Sequence, residues 1–356
     1  MKRRLAVLAL AGAMAVTSLT GCAGGLSDKD VVATVDGDEI TADVANFYAR
    51  FTQAQYETYY AGYLGEDMWS SEAEEGKTYE ESVKDTVLED LEDMYLLEDH
   101  MEEFEVEITE EDETSIKNAV AGFNEANGLD EKEKVSGSEK AVERLLTLFT
   151  IQAKMENAIK ATADLEVSDE EAAQKKMQYV LFPFTTTDEE GNSVELTDDE
   201  KAELKKTAEA FATGAKTAAD FASYATEQGQ EAKDASFDGE ETVTIPEELA
   251  KAADALEEGA ITEVVESDNG YYVAKLVSLF DKDATETEKE NIRSQRKQEK
   301  LDETLEKWRK DAKIEVNEKV WKKVDFNELS VTMKMEETEP YADEVQTDDV
   351  ADAAGE

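Results

Sequence analysis

The stretch MQYVLFPF, residues 177–184, opens the region of the chain that decides the fold. It is a short apolar run closed by a proline, which is typical of a β-strand. Capping and stop signals then predict helices over 197–214, from 217 through 224, and over 246–256. Residues 261–279 form two apolar segments joined through Asp-Asn-Gly, a strong short-range signal for a β-hairpin. This order predicts a small β-α-β-β domain.

Five short motifs in this region resemble those of the parvulin-type, or rotamase, peptidyl-prolyl cis-trans isomerases. Tyr179–Leu181 stands where parvulins have His-Ile-Leu, and Gly270–Val273 stands where they have Gly-Tyr-His-Ile. The other three are Asp220–Ala222, Ile245–Glu247 and Gly259–Ile261. Their order and spacing are similar to the domain found in the PrsA and SurA foldases. The resemblance implies a parvulin-like domain over residues 175–282.

The active-site positions of this family are altered in the chain. In active parvulins the resemblance implies two facing histidines and a cysteine or aspartate near the substrate carbonyl. The chain has Tyr179 and Tyr272 at the histidine positions, and Glu231 is the positional match for the acidic residue. Tyrosine keeps a hydrogen-bond donor and acceptor but does not reproduce imidazole geometry. We expect weak or absent isomerase activity, with the tyrosines filling the sheet core.

The same resemblance implies the residues that would bind a proline ring. They are Phe237, Ile245 and Leu249, of which the last two have clear counterparts in the family. The glycine-rich segment of the family is reduced here to Lys-Asp-Ala-Ser-Phe at 233–237. Rotation about an X-Pro bond needs neither a nucleophile nor a metal. We therefore predict no cofactor.

The first 22 residues have the three parts of a secretory signal peptide: a basic start, an apolar run over 5–16, and a small-residue site ending in Cys22. The apolar run is shorter than a membrane span of about 20 residues. Leu-Thr-Gly-Cys matches the bacterial lipobox, and this resemblance implies that Cys22 becomes the acylated first residue of the mature protein. Two acyl chains give stable anchoring, so we expect a lipid anchor on the extracytoplasmic face of the cell membrane, followed by a tether over 23–30. The alternative is an ordinary signal peptide beside a free thiol.

The chain is strongly acidic, with 88 acidic and 37 basic residues among 356 and a net charge of −51. Loss of the leader removes three basic residues and leaves 34, for a net charge of −54. Nucleic acid is excluded as a partner, because binding it requires basic residues that neutralise phosphate. The charge counters self-association and repels an anionic membrane surface, so the lipid is the expected membrane contact and a homodimer stays open.

Residues 31–170 predict a mainly helical domain. Its opening over 30–41, a strand, a turn and a return strand, is similar to the start of the N-terminal domain of SurA and PrsA. The first helix carries an aromatic stripe that ends at Tyr59, Tyr60 and Tyr63. We predict that the stripe is mostly core, with a few positions lining a groove for nonnative clients. Further helices are predicted over 79–104, 109–126 and 138–165.

No metal site is predicted in this domain. The acidic cluster at 36–39 lacks the spacing of a calcium-binding loop and is predicted to be a plain β-turn. His100 is the only histidine of the chain, and the only cysteine is Cys22, the predicted lipidation site. A lone histidine forms neither a metal site nor a catalytic pair, so His100 is predicted to be a structural or surface residue.

The residues after the parvulin-like domain form a charged helix and an alternating segment over 283–326. In the foldases that the chain resembles, the segments on both sides of the rotamase domain pack together. Residues 327–356 are acidic with few apolar side chains and are predicted to be disordered. The predicted fold class is α+β: a helical chaperone domain over 31–170, completed by the C-terminal helix, with an inserted parvulin-like domain.

The function that follows is an extracytoplasmic, membrane-anchored foldase that binds unfolded or partly folded exported proteins. One alternative is an active peptidyl-prolyl isomerase with a tyrosine-based site. Another is a solute-binding lipoprotein, which would require a two-lobed α/β fold with repeated strand-helix units.

Overall fold

The computed structural model describes residues 13–18, 25–65, 67–188, 190–239 and 245–334. Its strands are β1 (Met14–Ser18), β2 (Val31–Val35), β3 (Asp38–Thr41), β4 (Glu72–Glu74), β5 (Lys77–Thr78), β6 (Lys175–Pro183), β7 (Thr185–Thr187), β8 (Ser193–Glu195), β9 (Lys233–Phe237), β10 (Val265–Ser267), β11 (Gly270–Ser278), β12 (Ile314–Val316) and β13 (Leu329–Met333). Its α-helices are α1 (Ala42–Tyr59), α2 (Ala61–Leu64), α3 (Tyr79–Asp99), α4 (Glu110–Ala126), α5 (Leu129–Lys134), α6 (Glu139–Lys160), α7 (Asp198–Ala215), α8 (Phe221–Glu227), α9 (Glu247–Asp254), α10 (Lys282–Asp311) and α11 (Glu318–Trp321).

The chain divides into two compact units. Unit 1 comprises residues 1–161 and 301–356, and unit 2 comprises residues 162–300. The structure confirms the predicted α+β class, in which a helical N-terminal domain is completed by C-terminal residues and carries an insertion. The predicted limits of the insertion, 175–282, are narrower than unit 2 and stay a prediction.

The helices of unit 1 bury their apolar faces in one core. The Thr78 and Thr109 side chains cap α3 and α4 in capping boxes, as local sequence signals favour. The first is built with Glu81 and the second with Asp112. The core is closed by side chains from the far end of the chain, namely Leu301, Trp308, Trp321, Val324, Phe326, Leu329 and Val331. Residues separated by the whole of unit 2 therefore share one hydrophobic core.

The last described strand, β13, is fixed along α1 by polar side chains of that helix. The Gln53 amide is completely buried and donates to the carbonyls of Phe326 (3.0 Å) and Leu329 (2.6 Å). Glu57 Oε2 accepts the Val331 N–H at 2.8 Å. The predicted disordered tail therefore starts too early, because backbone groups after residue 327 find buried partners that composition does not reveal. Residues 335–356 lie outside the described part.

The strand β1 lies inside the segment predicted to be a signal peptide. It pairs antiparallel with β13, from Met14 opposite Met333 to Ser18 opposite Leu329. The Met14 side chain is 1 % exposed, and its N–H donates to Asn127 Oδ1 at 2.6 Å. Part of the predicted leader is thus folded onto unit 1.

Unit 2 contains a four-stranded antiparallel sheet in the order β10-β11-β6-β9. Successive side chains of a strand point to opposite faces, which separates two apolar clusters. Val180 and Phe182 pack with α7 and α8 on one face, whereas Met177 and Tyr179 pack with α9 on the other. The Gly270 strand lies beside the Tyr179 strand, as the β-α-β-β prediction requires.

Local details of unit 2 differ from the predictions. The segment 233–237 has only Ala235 and Phe237 as alternating apolar residues, yet it forms β9 because β6 supplies its hydrogen-bond partners. The second helix is capped by Asp220, whose Oδ1 accepts the Ser223 N–H at 2.7 Å, and not by Thr217. The Thr217 hydroxyl donates instead to the Gly214 carbonyl at the end of α7. Ile261 makes only an isolated bridge, and the hairpin strand is β10.

One alternative function, the solute-binding lipoprotein, can be compared with this architecture. All pairings between named strands of the described residues are antiparallel, so this part of the chain lacks the repeated strand-helix units of a two-lobed solute-binding protein. Within the described ranges, no helix has the length and apolar character to cross a membrane. The same ranges contain no group of three or more potential metal ligands.

Candidate functional site

The two tyrosines at the parvulin histidine positions meet on one face of the unit 2 sheet. In the β6–β11 register, Tyr179 lies opposite Ala274 and Tyr272 lies opposite Leu181. This places the two rings diagonally across neighbouring strands, where large side chains touch. Their centroids are 6.0 Å apart with the ring planes at 42°. The structure therefore brings together the pair that the sequence singled out.

Both phenol groups lie in a largely apolar environment. Tyr179 is 7 % exposed and Tyr272 is 2 % exposed. Burial raises the pKa of both phenols above the ordinary value of 10, and for Tyr272 the nearby Tyr179 adds to the rise. The Tyr272 hydroxyl donates to Asn269 Oδ1 at 2.9 Å. Both groups are neutral near pH 7, so neither supplies an anionic base there.

The predicted proline-binding residues pack on the tyrosines. Phe237 at the end of β9, Ile245 before α9 and Leu249 within α9 are each at most 1 % exposed. All three belong to the same apolar cluster as Tyr179 and Tyr272. The resemblance correctly identified neighbours in space, and in this structure these side chains cover the face that a proline ring would need. The segment 240–244, which precedes Ile245, lies outside the described residues.

Glu231 is placed differently from the tyrosine pair. It lies in the turn between α8 and β9 and is exposed to solvent. The tyrosines are buried under α9, so Glu231 shares neither their environment nor their cluster. Cys22, the predicted lipidation site, lies outside the described residues.

Sequence reasoning missed the polar partner of the pair. Asn269 holds the Tyr272 hydroxyl from the Asp-Asn-Gly turn, three residues earlier. The turn motif was visible in the sequence, but only the structure shows that its side chain folds back over the strand. This bond fixes the Tyr272 ring from outside the apolar cluster.

His100 has a structural place in unit 1, as predicted. Its ring stacks on Trp308, with centroids 4.0 Å apart and planes at 27°. Its Nδ1 lies 2.9 Å from the Leu96 carbonyl oxygen, and its Nε2 lies 3.7 Å from Glu103. These contacts join the end of α3 to the end of α10.

The predicted aromatic stripe is divided between core and surface, and the helix predicted to carry it is interrupted at Tyr60: α1 ends at Tyr59, and Tyr63 lies in α2. Phe47 is completely buried, whereas Tyr59, Tyr60 and Tyr63 are 58, 52 and 92 % exposed. We call the exposed group Tyr59, Tyr60, Tyr63 and Leu64 the tyrosine patch. A cleft of 680 Å³ borders it, and the residues lining the cleft include Ala61, Met68, Trp69, Phe326, Ser330 and Thr332. Unit 1 thus presents aromatic surface beside a partly apolar cleft.

Comparisons with known proteins identify one domain. Residues 182–289 match the family model of the PPIC-type PPIASE domain. The match starts three residues after Tyr179 and includes Tyr272. No curated protein matches the chain.

Several solved structures are similar to the chain. The foldase protein PrsA of Lactococcus lactis is 16 % identical, with a TM-score of 0.34, and the alignment covers 83 % of this chain and 98 % of that one. A SurA-like chaperone of Campylobacter jejuni is 14 % identical, with a TM-score of 0.30 and coverage of 81 % and 100 %. The peptidylprolyl isomerase PrsA of Bacillus cereus is 19 % identical, with a TM-score of 0.29 and coverage of 85 % and 99 %. The domain match confirms the predicted parvulin-type domain, because residues 182–289 are similar to the PPIC-type PPIASE domain.

Proposed function

We propose that the protein is an extracytoplasmic, lipid-anchored foldase that binds unfolded segments of exported proteins. The observation that carries the proposal is the tyrosine patch beside its cleft in unit 1. Large exposed apolar side chains that lie together commonly mark a binding surface. Tyrosine is well suited to varied clients, because its ring supplies apolar contact and its hydroxyl keeps contact with water.

The charge of the chain supports a holding function for this surface. With a net charge of −51, copies of the protein repel one another and stay soluble while they hold an aggregation-prone client. The same charge favours clients, or parts of clients, with basic residues. A lipid on Cys22 would keep the protein at the membrane that such clients cross, although its own surface is repelled by anionic lipids.

The isomerase activity of the PPIC-type domain is proposed to be weak or absent. Tyr179 and Tyr272 are neutral, buried and packed under Phe237 and Leu249. A proline ring would have to displace these side chains, and burial of a large apolar side chain is worth about 1.5–3 kcal/mol. An active isomerase with a tyrosine-based site is the competing function, and it requires this cluster to open.

An aggregation assay tests the foldase proposal. We expect the chain to suppress aggregation of a chemically denatured client after dilution, and we expect Tyr59→Ser/Tyr60→Ser/Tyr63→Ser to lose most of that effect. Leu129→Ser is the matched control, since Leu129 is 68 % exposed in unit 1 but lies outside the tyrosine patch. Equal protection by the triple variant and the control would show that the tyrosine patch does not bind clients.

A protease-coupled assay on a proline peptide tests the activity of the domain. Uncatalysed isomerisation takes tens to hundreds of seconds. We expect the chain to accelerate it by less than about tenfold. Ordinary parvulin rates that Tyr272→Ala abolishes would establish the competing function.

Membrane attachment is tested separately by fractionation, where Cys22→Ser should move the protein from the membrane to the soluble extracytoplasmic fraction.

A further inference from the structure

The edge of β13 is occupied by a segment of the predicted leader. If the leader is cut before Cys22, the mature protein keeps β13 and loses β1. We propose that the edge of β13 is a docking strand for an extended apolar segment of an unfolded polypeptide, and that β1 covers this edge until the leader is removed. The inference rests on the proposed function and names the backbone site that a client segment would use.

The two edges of β13 have different partners. The Val331 N–H donates to Glu57 and the Met333 N–H donates to Thr58 Oγ1, each at 2.8 Å. Backbone groups alternate between the edges of a strand, so those of Ser330, Thr332 and Lys334 point away from α1. The Lys334 N–H donates to the Ala13 carbonyl at 2.5 Å. The backbone groups of one edge are therefore satisfied by α1, and those of the other edge depend on β1, the incoming strand.

The incoming strand has the same alternation. The Met14 N–H points away from β13, since it donates to Asn127 Oδ1 at 2.6 Å. The N–H groups of Ala15 and Thr17 consequently face β13, opposite Thr332 and Ser330. Asn127 is 4 % exposed and gives the incoming strand a fixed polar contact at one end.

The side chains define what the docking strand accepts. Met14 enters the core of unit 1, and Val16, two residues later, packs against the same core. Thr17, the next residue along the strand, is exposed, so that position tolerates a polar residue. The segment MAVTS carries no charge, and the net charge of −51 disfavours an acidic segment. The preferred client is an extended stretch with apolar residues at alternate positions and no aspartate or glutamate.

An uncovered edge next to apolar surface is a template for strand addition. Free backbone groups on an edge strand pair readily with another chain, and many peptide-binding domains use this mode. Ser330 and Thr332 also line the cleft beside the tyrosine patch. A client strand on β13 would thus lie next to this cleft, whose lining also includes the aromatic side chains of Trp69 and Phe326.

Peptide exchange on the full chain tests the inference without deleting β1. Residues 19–24 are replaced by a specific protease site, which also removes Cys22, and the folded protein is cut in place. The probe is a fluorescent peptide of residues 13–20, AMAVTSLT, and fluorescence anisotropy is measured before and after cutting. We expect saturable binding only after cutting, when the peptide in excess replaces the resident segment.

Two N-methylated peptides provide matched controls on the ligand side. N-methylation at Ala15 blocks an N–H that faces β13 and should weaken binding at least tenfold. N-methylation at Val16 blocks an N–H that faces away and should change binding by less than threefold. A peptide with Met14→Glu should also fail to bind, because this side chain enters the core.

Several results would overturn the inference. They are no peptide exchange after cutting, equal binding before and after cutting, or equal binding of the two N-methylated peptides. Client protection that persists without peptide exchange would refute this inference alone and leave the foldase proposal standing. Peptide exchange in a protein that gives no client protection would instead refute the foldase proposal.

Discussion

Replacement of Gln53 by leucine should destabilise unit 1 strongly, although leucine is apolar and similar in size. Gln53 is completely buried, and its amide nitrogen donates to the carbonyls of Phe326 and Leu329. Its Oε1 also accepts a hydrogen bond of 2.7 Å from Arg50, which is itself 4 % exposed. Each buried polar group left without a partner costs about 1–3 kcal/mol. The substitution affects three groups: the two carbonyls and the Arg50 guanidinium. Because apolar packing of leucine recovers part of the loss, we expect the free energy of unfolding to fall by roughly 3–5 kcal/mol.

Tryptophan fluorescence measures this loss, because Trp69, Trp308 and Trp321 all lie in unit 1 and unit 2 has none. Urea unfolding followed at these residues gives the free energy of unfolding. Gln55→Leu is the control, since Gln55 is exposed on the same helix and the same change should stay within about 0.5 kcal/mol. If both variants unfold at the same urea concentration, the buried amide does not hold β13 against α1.

Three further changes have defined outcomes. Burial and the negative charge of Asp38 raise the pKa of Asp99 to about 6, so its ionised form is disfavoured in the folded state. Asp99→Asn should therefore raise stability above pH 6, by about 0.5–1 kcal/mol given solvent screening, and have no effect near pH 4; urea unfolding at both pH values would contradict this if the gain were larger at pH 4. Gly270→Ala should destabilise unit 2 by about 1–3 kcal/mol, because a Cβ would lie 2.4 Å from the Phe182 carbonyl oxygen; unchanged hydrogen exchange across β6 would refute this. Tyr272→Phe should cost only about 0.5–1 kcal/mol and leave client protection intact, since the turn partner of the hydroxyl is exposed and can bond water; loss of protection in the aggregation assay would give the phenol a functional role.

The sequence was sufficient where signals are local. The Thr197 capping box and the Asn-Gly turn correctly predicted the start of α7 and the β10–β11 hairpin. The parity of strand residues then placed Tyr179 and Tyr272 on one face. These features depend on residues only a few positions apart, so they can be identified without knowledge of the tertiary structure.

The sequence was insufficient where a partner lies far along the chain. Lys233–Phe237 has a weak strand pattern and is ordered because β6 supplies its hydrogen bonds. Leu329–Met333 alternates apolar and polar residues, but its polar partners on α1 lie more than 270 residues away along the chain. Helical period likewise does not show where the core ends along α1. Phe47 and Tyr59 lie on the same helix, yet the first is buried and the second is 58 % exposed.

The burial of the candidate site also depends on tertiary structure. The resemblance correctly gathered Phe237, Ile245 and Leu249 around the tyrosine pair. Whether such residues line an open pocket or close it depends on how α9 sits on the sheet. A difference of a few ångströms in that packing changes a binding pocket into a filled core, and no short sequence pattern specifies it.

The discontinuous core of unit 1 has a consequence for biogenesis. Its N-terminal helices cannot bury their apolar faces until the ribosome has made Trp308, Trp321 and Phe326. The insertion delays this by roughly 140 residues, or on the order of ten seconds at ordinary elongation rates. Throughout that interval the nascent chain exposes apolar surface that has no partner yet. A protein proposed to protect others from aggregation is therefore itself prone to aggregate during its synthesis.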